Sequence, residues 1–239
     1  GLGDDQPICK PPARLKNTAS VIFIFAQSGN QNGGRLAKLA IGPIQRHKAT
    51  MGKSTPILCI GSVLWDIIGR APIKMNQGED MPGRVTRLPG GVAMNIAMAL
   101  AGFGAQVALL SAVGKDTEGQ ELVNAAEKMG LNTEFLFRSA DLPTDRYMAI
   151  EAQNGLIAAI ADAHSLEAAG MRVLEPLIDG RLASPALPWA GLVVIDGNLP
   201  ADMLQMIASG PLFAASDLRI VPASPGKAER LKGFLGHKN

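Results

Sequence analysis

PGGVAMNIAMALAGFGAQVALLSAVGKDTEGQ, residues 89–120, decides how the chain folds. Gly90-Gly91 opens a helix of small residues over 92–103, and Asn95 stands in its first turn. A tight turn leads into the apolar run QVALLSAV, 106–113, which reads as a buried strand and ends in Gly114-Lys-Asp116-Thr-Glu-Gly119. Adjacent glycines let a backbone approach a ligand closely, because no Cβ intervenes. A helix N-terminus behind them brings unpaired N–H groups and partial positive charge. Together these features suit a polyhydroxyl ligand, with the Asn95 side chain as paired donor and acceptor.

Strand and helix patterns alternate outward from this stretch. PILCIGSV (56–63) reads as a buried first strand, and RVTRLPGG (84–91) as a strand feeding the glycine pair. TEGQELVNAAEKM (117–129) is amphipathic, with Gly130 where a C-cap belongs. EFLFRS (134–139) reads as a strand. Residues 144–162 read as a hairpin turning at Gln153-Asn154-Gly155, since Asn-Gly favours a tight turn. A helix over 165–178, a strand over 191–198, a helix over 201–210 and a strand over 218–224 complete the pattern. Such alternation predicts an α/β fold with a mainly parallel, doubly wound sheet and a local antiparallel hairpin.

Composition narrows the function classes. The chain has 239 residues, 47% of them hydrophobic, and a formal net charge of +2. Residues 1–50 hold seven Lys or Arg against two acids, and the remainder sixteen against nineteen. The regular part is thus mildly acidic, which argues against a nucleic-acid partner, since that would need a basic stripe on the fold. Only Cys9 and Cys59 are present; they make neither a disulfide framework nor a metal cluster and point to a reducing cytoplasm. No apolar run reaches membrane-spanning length, VIFIFA at 21–26 included. Residues 1–50 carry no sustained period, and they are expected to be an extension outside a fold that starts near Met51.

Several motifs dissolve on inspection. Met51-Gly-Lys-Ser-Thr resembles the end of a phosphate loop, but His47 stands where its first glycine belongs, and the strand follows rather than precedes it. Gly102-Phe-Gly104 lies between a helix and a strand, with Val107 at the third glycine position, so it is a turn. His47, His164 and His237 lack metal-ligand spacing. Asp66 is more telling. It falls just past the carboxyl end of the first strand, where open α/β sheets bind ligands, although a turn or helix cap is the plainer role for it.

The glycine pair with Asn95, Asp66 and the strand end Val194-Ile195-Asp196-Gly197-Asn198 together resemble the ribokinase-like (pfkB) carbohydrate and nucleoside kinases, most closely their pseudouridine kinase branch. The likeness covers about residues 56–232. It implies a ribokinase-like fold in which the 144–162 hairpin and strands between about 67 and 88 form a lid over the substrate. It also implies an ATP-dependent kinase acting on a sugar or nucleoside hydroxyl, with pseudouridine-like substrates favoured. The substrate-binding residues it implies are Asp66, Gly90, Gly91, Asn95, Asp162 and Asn198. Leu64, His164 and Val221 depart from the family pattern at positions where polar residues are usual.

Family members continue to an Asn-x-x-Glu strand end that organises magnesium and to a Gly-Ala-Gly-Asp segment that carries the catalytic base. After Ser224 this sequence runs PGKAERLKGFLGHKN instead. The resemblance therefore implies ATP and magnesium as cofactors whose motifs are not in this chain, and a C-terminal half missing from it. The expectation is that residues 1–239 have no catalytic residue and no kinase activity of their own. A non-catalytic sugar- or nucleoside-binding protein, or one that binds a protein partner, is the alternative. A sheet stopped part-way leaves an edge and an apolar face, which makes a homodimer a further expectation.

Overall fold

A computed structural model describes residues 55–235 and, in addition, the backbone of Ser20–Val21. The expectation that residues 1–50 stand apart from the fold lies otherwise outside the described residues. Ser20–Val21 forms a two-residue strand, β1. The chain then runs through β2 (Ile57–Ile60), β3 (Leu64–Arg70), β4 (Arg84–Gly90), α1 (Val92–Gly102), β5 (Val107–Leu110), β6 (Ala112–Gly114), α2 (Thr117–Lys128) and β7 (Phe137–Ser139). It continues with β8 (Arg146–Ala152), β9 (Gly155–Asp162), α3 (His164–Ala169), a 3-10 segment (Gly170–Leu177), β10 (Leu192–Asp196), α4 (Ala201–Ser209), β11 (Asp217–Val221) and α5 (Pro225–Ala228). A second 3-10 segment, Glu229–Phe234, follows.

The main sheet has the order β1-β11-β10-β2-β5, and every pairing in it is parallel. Its strands ILCI, VALL and LVVID are continuous apolar runs because both faces are covered. Alternate residues separate cleanly. Leu58, Ile60, Leu110, Val193 and Ile195 pack on one face with Leu166, Leu174, Leu204 and Phe213. Cys59, Leu109, Val107 and Val194 pack on the other with Met94 and Ala97 of α1 and with Leu122 and Ala126 of α2. Helices on both faces make the sheet doubly wound, as the alternation predicts. Each fully buried aliphatic side chain contributes roughly 1.5–3 kcal/mol.

From β2 the chain leaves toward β5 on one side, while from β10 it leaves through α4 toward β11 on the other. The carboxyl ends of β2 and β10 thus flank a topological switch point, the crevice where such sheets take ligands.

A second sheet, β4-β3-β8-β9, stands beside this crevice. β3 pairs with β4 antiparallel and with β8 parallel, and β8 pairs antiparallel with β9 across the expected Asn154-Gly155 turn. Successive strand residues point to opposite faces. Leu88, Asp66, Tyr147 and Ala161 lie in one cross-strand row. Pro89, Trp65, Arg146 and Asp162 form the adjacent row on the other face.

Three expectations change. The first strand stops at Ile60, and Asp66 sits inside β3 rather than in a loop after a strand ending at 63. The expected strand over 106–113 divides at Ser111, β5 staying in the main sheet while β6 pairs with β7. The helix expected over 165–178 ends at Ala169. There Gly170 takes φ 51°, and Pro176 cannot donate to a regular α-helical ladder, so the rest winds as 3-10.

Candidate functional site

Ser62 and Asp196 form the floor of the crevice. The buried Asp196 carboxylate accepts from the Ser62 amide (2.8 Å), the Ser62 hydroxyl (3.0 Å) and the Ala93 amide (3.0 Å) through Oδ2, and from the Asn198 amide (2.8 Å) through Oδ1. Ser62 Oγ also accepts from the Val92 amide (2.8 Å) and from Asn198 Nδ2 (2.9 Å). The Met94 amide donates to the Ser62 carbonyl (3.3 Å). Burial pushes the Asp196 carboxyl above its ordinary range, against the donors from Ser62 and Asn198. No Lys or Arg pairs with Asp196 among the described residues, so amide dipoles and the positive end of α1 supply what a cation would.

This corrects the view of α1 as a source of free amides for a ligand. Its first N–H groups are used internally, on Ser62 and Asp196. Asp196 therefore caps a helix far away in sequence rather than the next one, α4, which has Pro200 at its N-cap and no side-chain cap. The glycine pair is required by close approach. A Cβ on Gly90 would stand 2.0 Å from Asp66 Oδ2, and one on Gly91, where φ is 93°, would stand 2.4 Å from the Ser62 carbonyl oxygen.

Above this floor lies a cavity of about 660 Å³, walled on the lid side by Leu64, Asp66, Tyr147, Leu156, Ala161 and Ala163. Gly91, Val92 and Asn95 line it from α1, Ser62 and Asn198 from the floor, and Pro222, Ala223, Ser224, Pro225, Lys227 and Ala228 from the segment after β11. Its size and mostly apolar walls with a few polar groups are typical of a small-molecule site. Burial lifts the Asp66 carboxyl from 3.8 to about 6. The Tyr147 phenol is raised too, by burial and then by the charges of Asp66 and Glu151. Lys227 Nζ donates to Asn198 Oδ1 at 2.6 Å.

Of the residues singled out from sequence, Asp66, Gly91, Asn95 and Asn198 line this one cavity. Gly90 lies beneath the Asp66 carboxylate without lining it. Asp162 is not brought in: it belongs to the cross-strand row facing away, is half exposed, and its Oδ1 meets His164 Nδ1 at 2.8 Å. Ser62, Tyr147 and Lys227 were not foreseen.

The lid sheet is tied to α2 and α3. Trp65 Nε1 donates to the Glu118 carbonyl (2.9 Å), Arg146 pairs with the Glu118 carboxylate (2.8 Å), and Arg87 stacks 4.2 Å over the Trp65 ring while pairing with Glu121. At the start of α2, Asp116 accepts from the Gly119 amide (2.7 Å) and from Thr144 through its hydroxyl (2.5 Å) and amide (2.8 Å). Burial works against that carboxylate, but these donors and Arg146 outweigh it and hold its pKa low. Asp145 accepts from the Ser165 and Leu166 amides, both at 3.0 Å, and burial raises its pKa despite them.

Among the described residues no group of three His, Cys, Asp or Glu is placed to hold a metal ion. No described helix is long and apolar enough to cross a membrane.

Comparison with known proteins gives a consistent picture. The profile of the pfkB family carbohydrate kinases matches residues 54–205. The chain is 32% identical over 182 residues to the uncharacterized sugar kinase YeiI of Escherichia coli, covering 74% of this chain and 47% of that protein. It is 33% identical over 186 residues to the pseudouridine kinase of the same organism, covering 75% and 55%. It thus spans about half the length of the curated relatives it matches. Among solved structures, a carbohydrate kinase from Agrobacterium tumefaciens superposes with a TM-score of 0.62 at 28% identity, over 77% of this chain and 58% of that one. Arabidopsis thaliana ribokinase, complexed with ribose and ATP, has a TM-score of 0.54 at 18% identity over 71% and 53%, a likeness of fold.

Proposed function

The chain belongs to the pfkB family of carbohydrate kinases, and from that premise we propose that its cavity binds a small sugar or nucleoside, pseudouridine-like substrates favoured, for ATP-dependent phosphorylation of a hydroxyl. Residues 1–239 supply substrate binding in this reading, and phosphoryl transfer is a property of the whole kinase. The observation that carries it is the Asp66 carboxylate, set over Gly90 and sharing one cavity with Gly91 and Asn95. An ionised carboxylate only accepts hydrogen bonds, so it suits a pair of ring hydroxyls. The Asn95 amide can both donate and accept beside it. Charge-assisted bonds of this kind are strong and directional, so they fix the orientation of a sugar as well as holding it.

The behaviour of Asp66→Ala tests the reading. Loss of a hydrogen bond to a charged group costs about 1.5–3 kcal/mol, so affinity for pseudouridine or ribose should fall at least about tenfold by titration calorimetry. A folded variant with unchanged affinity would remove Asp66 from the site, and a chain that binds no member of a sugar and nucleoside panel would end the proposal. Binding by a chain that remains inactive with ATP even when a relative's C-terminal half is appended would favour a non-catalytic binding protein.

A further inference from the structure

The segment after β11 brings a cation into the cavity that the sugar-binding reading does not use. Lys227 lines the cavity, half-buried, and its ammonium donates to Asn198 Oδ1 at 2.6 Å. Asn198 in turn donates to Ser62 Oγ, and Ser62 Oγ donates to Asp196. Each group in this relay is oriented by the next, down to a buried carboxylate whose charge favours a cation at the open end. No carboxylate forms an ion pair with Lys227 among the described residues. An ammonium has three donors and no acceptor, and one is spent on Asn198. In the neighbouring wall, Pro222, Ala223, Ser224, Pro225 and Ala228, the one side-chain acceptor is the Ser224 hydroxyl, which already accepts from the Lys227 amide at 3.3 Å.

Resting on the sugar or nucleoside reading of the cavity, we infer that Lys227 is a specificity-determining residue that donates to a carbonyl oxygen on the base of a nucleoside. Asp66 and Asn95 hold the sugar hydroxyls, while Lys227 reads the base. A donor-only ammonium matches a carbonyl oxygen, which only accepts; a sugar hydroxyl can also accept, but brings a donor that the ammonium cannot take. Val92, Leu156, Ala161 and Pro222 line the same cavity and suit the faces of a planar ring better than a second set of hydroxyls. A free phosphate group fits less well, because a single ammonium with one hydroxyl beside it, that of Ser224, lacks the cluster of donors that a phosphate collects. The cavity thereby favours nucleosides with a carbonyl-bearing base over free sugars and over nucleosides with an apolar base.

Titration calorimetry of the full chain, wild type and Lys227→Met, would compare pseudouridine, uridine, ribose and a phenyl C-riboside, whose ring has the shape of a base and no acceptor. Wild type should bind pseudouridine or uridine at least about tenfold more tightly than the phenyl C-riboside, and Lys227→Met should collapse that ratio toward one. Lys227→Gln, whose amide can still donate to Asn198, should retain part of it; this variant also serves if the methionine variant melts early. An unchanged ratio in both folded variants, or inorganic phosphate displacing the nucleoside from wild type only, overturns the inference while leaving the sugar site standing. A wild type that binds ribose and the phenyl C-riboside as well as pseudouridine overturns it equally. If Asp66→Ala leaves all binding intact, the underlying reading of the cavity falls instead, and the inference falls with it.

Discussion

Asp66 carries a pH signature with opposite signs for folding and for binding. Its carboxyl would titrate near 3.8 in an unfolded chain and does so at about 6 in the fold, because burial disfavours the charge. The unliganded fold therefore prefers the protonated form, and this group's contribution to stability, full below about pH 4, is lost as pH rises through 6. Hydroxyl donors need the ionised acceptor, so affinity runs the other way. It should fall toward tenfold for each pH unit below about 6. Calorimetry at about pH 5 and pH 7 should show roughly tenfold weaker sugar binding at the lower value. The trend should flatten in Asp66→Asn, and a flat wild-type profile would count against Asp66 as the acceptor. Asp66, Gly91, Asn95 and Asn198 were legible in the sequence because each stands in a short motif beside a strand or helix end. Ser62 and Lys227 were not, because nothing local marks them: Ser62 acquires its role from Asp196, 134 residues away. Asp162 fails to reach the cavity for a reason the strand itself contains, since one step along a pleat reverses the face.

At the scale of elements, the lid sheet is held at its base by carboxylates as well as by the packing of Trp65 against the α1–α2 layer. Asp116 joins the first turn of α2 to Thr144, at the point where the chain enters β8. Removing a side chain that caps a helix costs about 0.5–2 kcal/mol, and here the same change also strands the Thr144 amide. Asp116→Ala should lower stability by about 1–2 kcal/mol in urea or thermal unfolding. Asp116→Asn, which keeps one acceptor, should lose less, and equal losses would show that charge rather than capping matters. The hairpin over 144–162 and the helices α1, α2 and α4 were readable because turn chemistry and periodicity agree there. β3 was not read as a strand from its own residues; lid strands between about 67 and 88 were expected only from the family resemblance. LWDIIGR shows neither clean alternation nor an apolar run, since one face meets α2 through Trp65 and the other presents Asp66 to the cavity.

Taken whole, the molecule pairs a well-covered main sheet with a lid sheet whose outer face, beyond the part that meets α2 through Trp65, is left open by the described residues. Val85, Met148, Ile150 and Ile160 are 72%, 49%, 38% and 69% exposed, and the strand register sets them on the face opposite Asp66. Contiguous apolar surface of this kind binds hydrophobic dyes and other proteins. The chain should therefore show dye fluorescence and concentration-dependent self-association by sedimentation, both reduced in Ile160→Lys. A monodisperse monomer without dye binding would refute this. The Asp196 contacts have a consequence in time. They join residue 62 to residue 196 and residue 93 to residue 196, so the chain must close long loops before the carboxylate finds its donors. Contacts of such sequence separation are slow to form. As the polypeptide emerges during synthesis, β2, α1 and the lid strands exist well before their anchor does. The end of the molecule that reads the substrate is thus among the last to take shape, and until then Ser62 and the start of α1 are open to water and to chaperones.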